Sequence, residues 1–315
     1  MIFSIVTPSY NQASYLAETI ESVIGQAGDF HIDYIIVDGG SQDNSVEILK
    51  HYAKLLEEER WQIKCRGITF RWLSEKDQGQ ADALMKGFRL SAGDVLAWLN
   101  SDDTYLPGTL SKVAEAFALH PEISVVYGKA YYIDPAGKVI GRYPTGAFDL
   151  KRLAVFNYIC QPSTFFRKSS FKDVGGLDVS LHFCMDYDLW IRLAKSSGFI
   201  YLQDFLATYR LHEESKTVSE RSALANHEEA LRVARKYFDW APLSRVYVCC
   251  HGHISNTFPS FLKKLGFPIV FAALVFSVAR YLYLNKGIRI DDLRSINFKN
   301  LGGISRTRMD RYRNP

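Results

Sequence analysis

Two adjacent carboxylates, Asp102 and Asp103, follow an apolar run in Trp98-Leu99-Asn100-Ser101-Asp102-Asp103. Like charges side by side repel unless a cation or basic groups balance them. A divalent metal supplies that balance, and carboxylates suit Mg²⁺ or Mn²⁺. Such ions take one or two carboxylates and fill their remaining positions with phosphate oxygens and water. The competing reading is a polar turn in which Asp103 caps a helix over residues 107–119.

Four further clusters carry chemistry. Asp38-Gly39-Gly40-Ser41-Gln42-Asp43 joins an apolar run to a helical pattern. Its glycines let backbone approach a ligand, and the helix start favours negative charge. Asp38 could accept hydrogen bonds from a ribose or a base edge; an ordinary turn capped near Asp43 fits equally. Asp77-Gln78-Gly79-Gln80-Ala81-Asp82-Ala83, followed by Lys86 and Gly87, sets polar groups at another helix start, for a diphosphate or as simple capping. Met185-Asp186-Tyr187-Asp188-Leu189-Trp190-Ile191-Arg192 opens an apolar helix with an aspartate suited to general-base work. The bland reading there is an N-cap at Asp186 and an i,i+4 ion pair between Asp188 and Arg192. Finally, Tyr209-Arg210-Leu211-His212 ends a strand with a histidine, a residue type more often structural than functional.

These residues need a scaffold, and the apolar periodicity supplies one. Strands are expected over residues 2–7, 34–37, 69–74 and 95–99. Helices are expected over 14–24, capped by Ser14, from Asn44 or Ser45 to about 58, and over 80–90. This βαβαβαβ rhythm predicts an α/β fold with a mostly parallel central sheet flanked by helices, whose ligands sit beyond the carboxyl ends of the strands. The acidic clusters fall there. From about 124 to 215 the rhythm breaks into shorter strands and a helix over 187–196. A charged helix over 219–238 follows, and residues 267–279 hold a single polar member, Ser277.

Composition limits the function. The 315 residues are 47% hydrophobic and 23% charged, which suits a folded globular chain rather than a disordered one. A net charge of +4 is too small to imply a nucleic-acid partner. From Lys263 onward, however, 11 Lys/Arg face 3 Asp/Glu, which points to an anionic partner for the tail, such as a membrane surface. Five cysteines without C-x-x-C spacing suit a reducing cytosol. The opening residues lack a basic stretch and reach Pro8 too early for a signal peptide. Residues 267–279 are too short to cross a bilayer, and Arg280 interrupts their extension. They form either a buried helix of a C-terminal subdomain or an in-plane anchor flanked by Lys263, Lys264, Lys286 and Arg289.

Order and spacing together resemble the family 2 glycosyltransferases, of GT-A (nucleotide-diphospho-sugar transferase) fold, over roughly residues 2–218. The carriers are Ser4-Ile-Val-Thr-Pro-Ser-Tyr-Asn11, Val37-Asp-Gly-Gly-Ser-Gln-Asp43, Asp77-Gln-Gly-Gln-Ala-Asp-Ala83 and Trp98-Leu-Asn-Ser-Asp-Asp103 with Pro107. Further on come Gln161-Pro-Ser-Thr-Phe165, Gly175-Gly-Leu-Asp178 and Met185-Asp-Tyr-Asp-Leu-Trp190. The resemblance implies an inverting transfer from a UDP- or GDP-sugar to a sugar or a lipid-linked saccharide, in surface polysaccharide or glycolipid synthesis. Thr7, Pro8 and Tyr10 would line the nucleotide pocket, and Asp38 would contact the base. Ser41, Asp77, Gln80, Asp82, Asn100, Ser101 and Gln161 would bind substrate. Asp102 would ligate Mn²⁺ or Mg²⁺ with Asp103 in support, His212 would help hold the metal or the diphosphate, and Asp186 would be the base.

The resemblance also implies a donor-binding half over 1–103 and an acceptor-binding half over 104–218. A mainly helical extension over 219–315 would touch the cytoplasmic face of a membrane. No oligomeric state follows from it. Four positions depart from the family pattern: Gly39 and Asn100 where an acid is common, Met185 where Glu is common, and Met85 where Asn is common. A nucleotidyltransferase is the enzymatic rival, but the loop after the first strand, Pro8-Ser-Tyr-Asn-Gln-Ala, lacks the expected glycines and basic residue. A non-catalytic nucleotide-sugar-binding module at a membrane is the other alternative; it would have no need of Asp186.

Overall fold

The structure, a computed structural model, describes residues 1–213, 215, 220–257, 267–288 and 292. Its contacts divide the chain into two units. The first holds Met1–Phe148 and Tyr158–Arg210, and the second holds Asp149–Asn157 and Leu211–Pro315.

The first unit is built on a nine-stranded sheet. Strands β1 (Ile2–Ser9), β2 (Gly28–Asp38), β3 (Cys65–Ser74) and β4 (Val95–Trp98) run parallel in the order β3-β2-β1-β4. They are joined by α1 (Ala13–Ile24), α2 (Ser45–Glu57) and α3 (Gln80–Leu90). β1 and β4 are buried almost throughout, because helices cover both faces. Phe3, Ile5, Ile32 and Ile36 share one core cluster with Leu16, Ile20 and Val23 of α1. α3 presses so closely on β1 that a Cβ on Gly87 would lie 2.4 Å from Cγ1 of Val6. That glycine is a packing requirement.

The sheet continues as β8-β6-β9-β5, with β7 on the flank of β6. Here β5 is Thr104–Tyr105, β6 Ile123–Ile133, β7 Val139–Arg142, β8 Thr164–Arg167 and β9 Gly198–Arg210. β8 is antiparallel to both β4 and β6, β9 is parallel to β6, and β5 is antiparallel to β9. The sheet is thus parallel in its first half and mixed in its second. β6 and β9 are long, at 11 and 13 residues, where short strands are expected from the sequence. Register shifts around Tyr127–Ala130 accommodate polar residues that break the apolar alternation. Helices α4 (Thr109–Leu119), α6 (Lys168–Asp173) and α7 (Met185–Ser196) complete this unit.

Several element ends differ from the sequence expectation. β2 begins at Gly28 rather than Tyr34, since the polar Asp33 is satisfied inside the sheet. It is 2% exposed, accepts bonds from Ser4 Oγ (2.6 Å) and Ala92 N (2.8 Å), and pairs with Arg71. Ser14 does not cap α1, which starts at Ala13 without a side-chain cap of its own. The neighbouring loop caps it instead: Asp43 Oδ2 accepts from Ala13 N at 3.0 Å and Ser45 Oγ from Gln12 N at 3.2 Å. Asp103 does not cap α4, whose N-cap position is Gly108.

In the second unit, Asp149 caps the short α5 (Leu150–Val155), accepting from Lys151 N and Arg152 N. α8 (Glu220–Phe238), α9 (Leu243–Thr257) and α10 (Phe267–Asn285) pack around Leu231, Val246, Cys249 and Tyr281. α10 continues past Arg280, where the apolar run breaks in sequence, because Glu228 of α8 receives that guanidinium in two bonds of 2.8 and 2.9 Å. Lys263, Lys264 and Arg289 lie outside the described residues.

Asp43 serves two helix starts at once, Ala13 N of α1 through Oδ2 and Ser45 N of α2 through Oδ1. Burial would raise its carboxyl, but the hydrogen bonds from Ser45 and Ala13 outweigh burial and hold it below the usual carboxylate range. A depressed pKa stabilises the fold above the unfolded value of about 4, and that contribution is lost as pH falls through the folded value. Asp43→Ala should therefore cost about 1–2 kcal/mol in urea unfolding at pH 7. The gap from the unsubstituted chain should narrow as pH drops below about 4.

Candidate active site

The carboxyl ends of β1, β2 and β3 are zipped into one ledge. Asn11, in the left-handed region at φ 51°, donates its N–H to Ser41 Oγ at 2.7 Å, and its Oδ1 accepts from Gln42 N at 2.9 Å. Asp38 is fully buried and accepts from Gly40 N, Ser41 N, Ser41 Oγ and Ser74 Oγ. Four accepted bonds match the capacity of a carboxylate. Asp38 thus shapes the loop on which a ligand would rest. Tyr10, 58% exposed, and Asp77 converge over Gly39, where an added Cβ would lie 3.3 Å from the ring and 2.8 Å from Asp77 Oδ2. The family's acid at this position would crowd Asp77, which accounts for the glycine.

Thr7 and Pro8 are buried beneath this ledge. The Thr7 hydroxyl shares a 3.0 Å hydrogen bond with Tyr34 OH, so its side chain belongs to the core. Ser9 Oγ, by contrast, is buried and has no partner among the described residues, a polar group at the end of β1 not singled out from the sequence. At the start of α3, Asp77 Oδ1 accepts from Gly79 N and Asp82 Oδ2 from Gln78 N. Lys86 is held between Glu75 (2.8 Å) and Asp82 (3.3 Å). The bond from Gln78 N, then Lys86, lower the Asp82 carboxyl.

Beyond β4 the two adjacent aspartates separate in role. Asp103 is 1% exposed; its Oδ1 accepts from Arg210 N at 2.9 Å and its Oδ2 from Asn100 Nδ2 at 3.4 Å. Burial, and then the charge of Asp102, push its carboxyl well above the usual range. Asp102 is half-buried, the more open of the two. Asn100 is the hub of an amide relay. Its Oδ1 accepts from Gln80 Nε2 at 2.8 Å, its Nδ2 donates to Gln161 Oε1 at 3.3 Å, and Gln161 Nε2 donates to Trp98 O at 2.6 Å. Only an amide can both accept and donate here, so the departure from an acid has a structural reason. Ser101 is buried in the same turn.

Arg210, passed over in the sequence as a neighbour of His212, braces this turn from behind. It is 2% exposed; Nε donates to Asp102 O (2.9 Å), Nη1 to Asp134 O and Pro135 O, and Nη2 to Glu18 (2.5 Å), with Tyr15 stacked beneath. A lone Arg at a strand end carries no pattern in sequence that reveals such a brace.

Asp186 lies in the first turn of α7, half-buried, with Oδ1 accepting from Tyr187 N at 2.7 Å. The N-cap position is Cys184, so Asp186 is inside the helix rather than capping it. Asp188 forms the expected ion pair with Arg192, at 2.6 Å, fully buried. α7 is fixed against β4 by stacked indoles, Trp98 on Trp190 at 5.6 Å and 13°. Phe88 and Phe166 meet that pair edge-on. Met85 packs on Gly176 and its Sδ accepts from Leu177 N at 3.4 Å, and Met185 is buried, so both remaining departures serve packing. His212 falls in the second unit, 5% exposed, with its N–H donating to Ser215 Oγ.

A metal would meet one accessible carboxylate here, Asp102. Among the described residues no group of three or more His, Cys, Asp or Glu is placed to hold an ion by itself. That donor set fits Mg²⁺ or Mn²⁺ shared with a diphosphate, which provides the remaining oxygens.

The sheet order and its helices define an α/β enzyme of GT-A fold. The profile of glycosyl transferase family 2 matches residues 4–175, more than half of the chain, and the chain belongs to that family. It is a glycosyltransferase. A PGL/p-HBAD biosynthesis glycosyltransferase of Mycobacterium tuberculosis is 32% identical over 212 residues, which cover 66% of this chain and 76% of the relative. An uncharacterized glycosyltransferase of Rickettsia prowazekii is 25% identical over 84% of this chain and 81% of its own. Among solved structures, Staphylococcus aureus TarS 1–349 with UDP-GlcNAc superposes with a TM-score of 0.56 over 91% of each chain at 14% identity. The mannosyltransferase PcManGT of Pyrobaculum calidifontis with GDP-Man and Mn²⁺ superposes with a TM-score of 0.52 over 96% of this chain and 81% of that one, at 13% identity.

Removing the Arg210 guanidinium would take the donated bonds from the carbonyls of Asp102, Asp134 and Pro135 and the ion pair from Glu18. Arg210→Met should cost about 1–3 kcal/mol in denaturant unfolding. Asn100→Asp should destabilise the chain by about 1–3 kcal/mol, by losing two donated bonds and setting a second carboxylate against buried Asp103.

Proposed function

We propose that the chain moves a sugar from a nucleotide diphospho-sugar to an acceptor hydroxyl in a single inverting displacement. The observation that carries this reading is the division of labour at the end of β4. Asp103 is withdrawn and braced, Asp102 is the more open of the two, and the strand that precedes them is stacked on the helix whose first turn holds Asp186.

Residues 1–103 serve as the donor half and 104–218 as the acceptor half, with 219–315 as an extension. Tyr10, the Asp38–Ser41 loop over Thr7 and Pro8, and Asp77 face the nucleotide. Gln80, Asp82, Ser101 and the Asn100–Gln161 relay order the diphosphate side. Asp102 would hold Mn²⁺ or Mg²⁺; a share for His212 in holding the metal or the diphosphate rests on the family resemblance alone. When bound, the ion supplies positive charge against the departing diphosphate. Asp186 takes the proton of the acceptor hydroxyl as its oxygen bonds to the anomeric carbon. The bond from that carbon to the β-phosphate oxygen breaks, and its electrons leave with the nucleotide. No covalent sugar–enzyme intermediate is needed.

A UDP- or GDP-sugar donor is supported by the nucleotides named for TarS and the mannosyltransferase. An acceptor that is a sugar or a lipid-linked saccharide, in surface polysaccharide or glycolipid synthesis at the cytoplasmic face of a membrane, accords with the mycobacterial relative's name.

Asp186→Asn should keep donor affinity while transfer falls by ~10² or more; undiminished turnover in that variant rejects Asp186 as the base. Calorimetry of Asp102→Ala with UDP and with GDP should show the Mn²⁺-dependent part of the affinity lost, and an unchanged metal dependence rejects Asp102 as the ligand.

A further inference from the structure

α10 carries most of its large apolar side chains outward. Its protein-facing stripe is Ile269, Ala273, Ser277 and Tyr281, all buried; Tyr281 OH bonds Asp292 at 2.5 Å, and Asn285 bonds both the N–H and the C=O of Ala241. Arg280, half-buried, is clamped in two bonds by Glu228. Ile269 apart, the bulky aliphatic and phenyl groups along the middle of the helix point the other way. Val275, Phe276 and Val278 are 52–62% exposed, Tyr283 is 84% exposed, and Leu274 and Leu282 complete the face. A helix on a water-soluble domain presents the opposite pattern, with its apolar stripe inward. Contiguous apolar faces of this kind mark interaction sites rather than ordinary surface.

By length and composition, Pro268–Asn285 could cross a bilayer, with 22% of it buried in the protein. The packing opposes that orientation. Arg280 is held by α8, a helix rich in Glu, Arg and Lys, and α9 packs along α10. Carrying α10 through hydrocarbon would either break the Arg280–Glu228 pair or draw charged helices into the bilayer core. Lying flat requires neither: the clamped stripe stays on α8 and α9, and only the apolar face meets the lipid. At 19 residues α10 is about 28 Å long, enough for several apolar turns in the membrane plane.

The choice between a lipid surface and another protein rests on charge. Between Lys263 and Ile290 there is no Asp or Glu, while Lys263, Lys264, Lys286 and Arg289 flank the apolar run. Lys286 is exposed, three residues beyond Tyr283. Apolar side chains between basic flanks match a bilayer with anionic headgroups, apolar below and negative at the surface.

We infer that the outward face of α10 docks the protein in-plane on an anionic lipid surface. This deepens the proposed membrane setting but does not depend on the roles given to Asp102 and Asp186. The test is flotation of the full chain with vesicles of phosphatidylcholine, with and without phosphatidylglycerol, at low and high salt. The full chain should float with the anionic vesicles and bind them less at high salt. Val275→Asp combined with Phe276→Asp should lower vesicle affinity at least about tenfold, with donor hydrolysis and melting temperature unchanged. Lys286→Glu should lower affinity about fivefold on anionic vesicles and leave binding to neutral ones unaltered. Asp186→Asn should float like the unsubstituted chain, so a failure of the catalytic reading and a failure of this one are distinguishable. A full chain that floats with neither vesicle overturns the inference. If that chain is a dimer separated by the Val275/Phe276 variant, the face is a contact between copies. Equal binding to both compositions overturns the anionic surface.

Discussion

The first unit depends on how it solves one electrostatic problem, two aspartates in sequence at the end of a buried strand. Asp103 faces inward, where a charge needs compensation, and the backbone N–H of Arg210 and the amide of Asn100 meet it there. The Arg210 guanidinium then binds the carbonyl of Asp102 and reaches Glu18 on α1, tying the turn to two other parts of the unit. With its neighbour and its own carbonyl fixed, the Asp102 side chain is set on a rigid backbone at the half-open position. Preorganisation of this kind is what the proposed role of Asp102 requires, since the geometry is set before a ligand arrives.

The loops after β1 and β2 follow the same logic with smaller groups. Asp38 resembles a ligand-binding acid in sequence and Asp43 a cap, and the oxygens of both are engaged with the loops themselves. Their energetic role is to satisfy backbone donors at helix starts and turns, where an unmet N–H costs free energy. What they leave exposed is the Tyr10 ring above a loop whose shape these carboxylates impose.

Much of the scaffold was legible in the sequence because strand and helix periods are local. The parallel β1–β4 half, the α3 boundaries and the Asp188–Arg192 pair all follow from spacing within one element. What escaped was set by contacts between distant segments. β2 extends because Ser4 and Ala92 satisfy Asp33. α1 needs no cap of its own because Asp43 supplies one from 30 residues away. Arg210 reads as an ordinary strand-end residue until residues 18, 102, 134 and 135 are placed around it. The clustering of Gln80, Asn100 and Gln161 was indicated as a set of site residues, but its order as a relay was not.

The departures from the family pattern follow from the same contacts. An acid at position 39 would meet Asp77. An acid at position 100 could not donate to both Gln161 and Asp103. Met85 fills the space beside Gly176 and its sulfur accepts a backbone N–H that an apolar side chain would leave unmet. At positions 39 and 100 a neutral residue stands beside another carboxylate, Asp77 or Asp103. The consequence falls on Asp102. With Gly39 and Asn100 neutral and Asp103 withdrawn, it is the half-buried acid of this turn. Its accessibility follows from the burial of its neighbour.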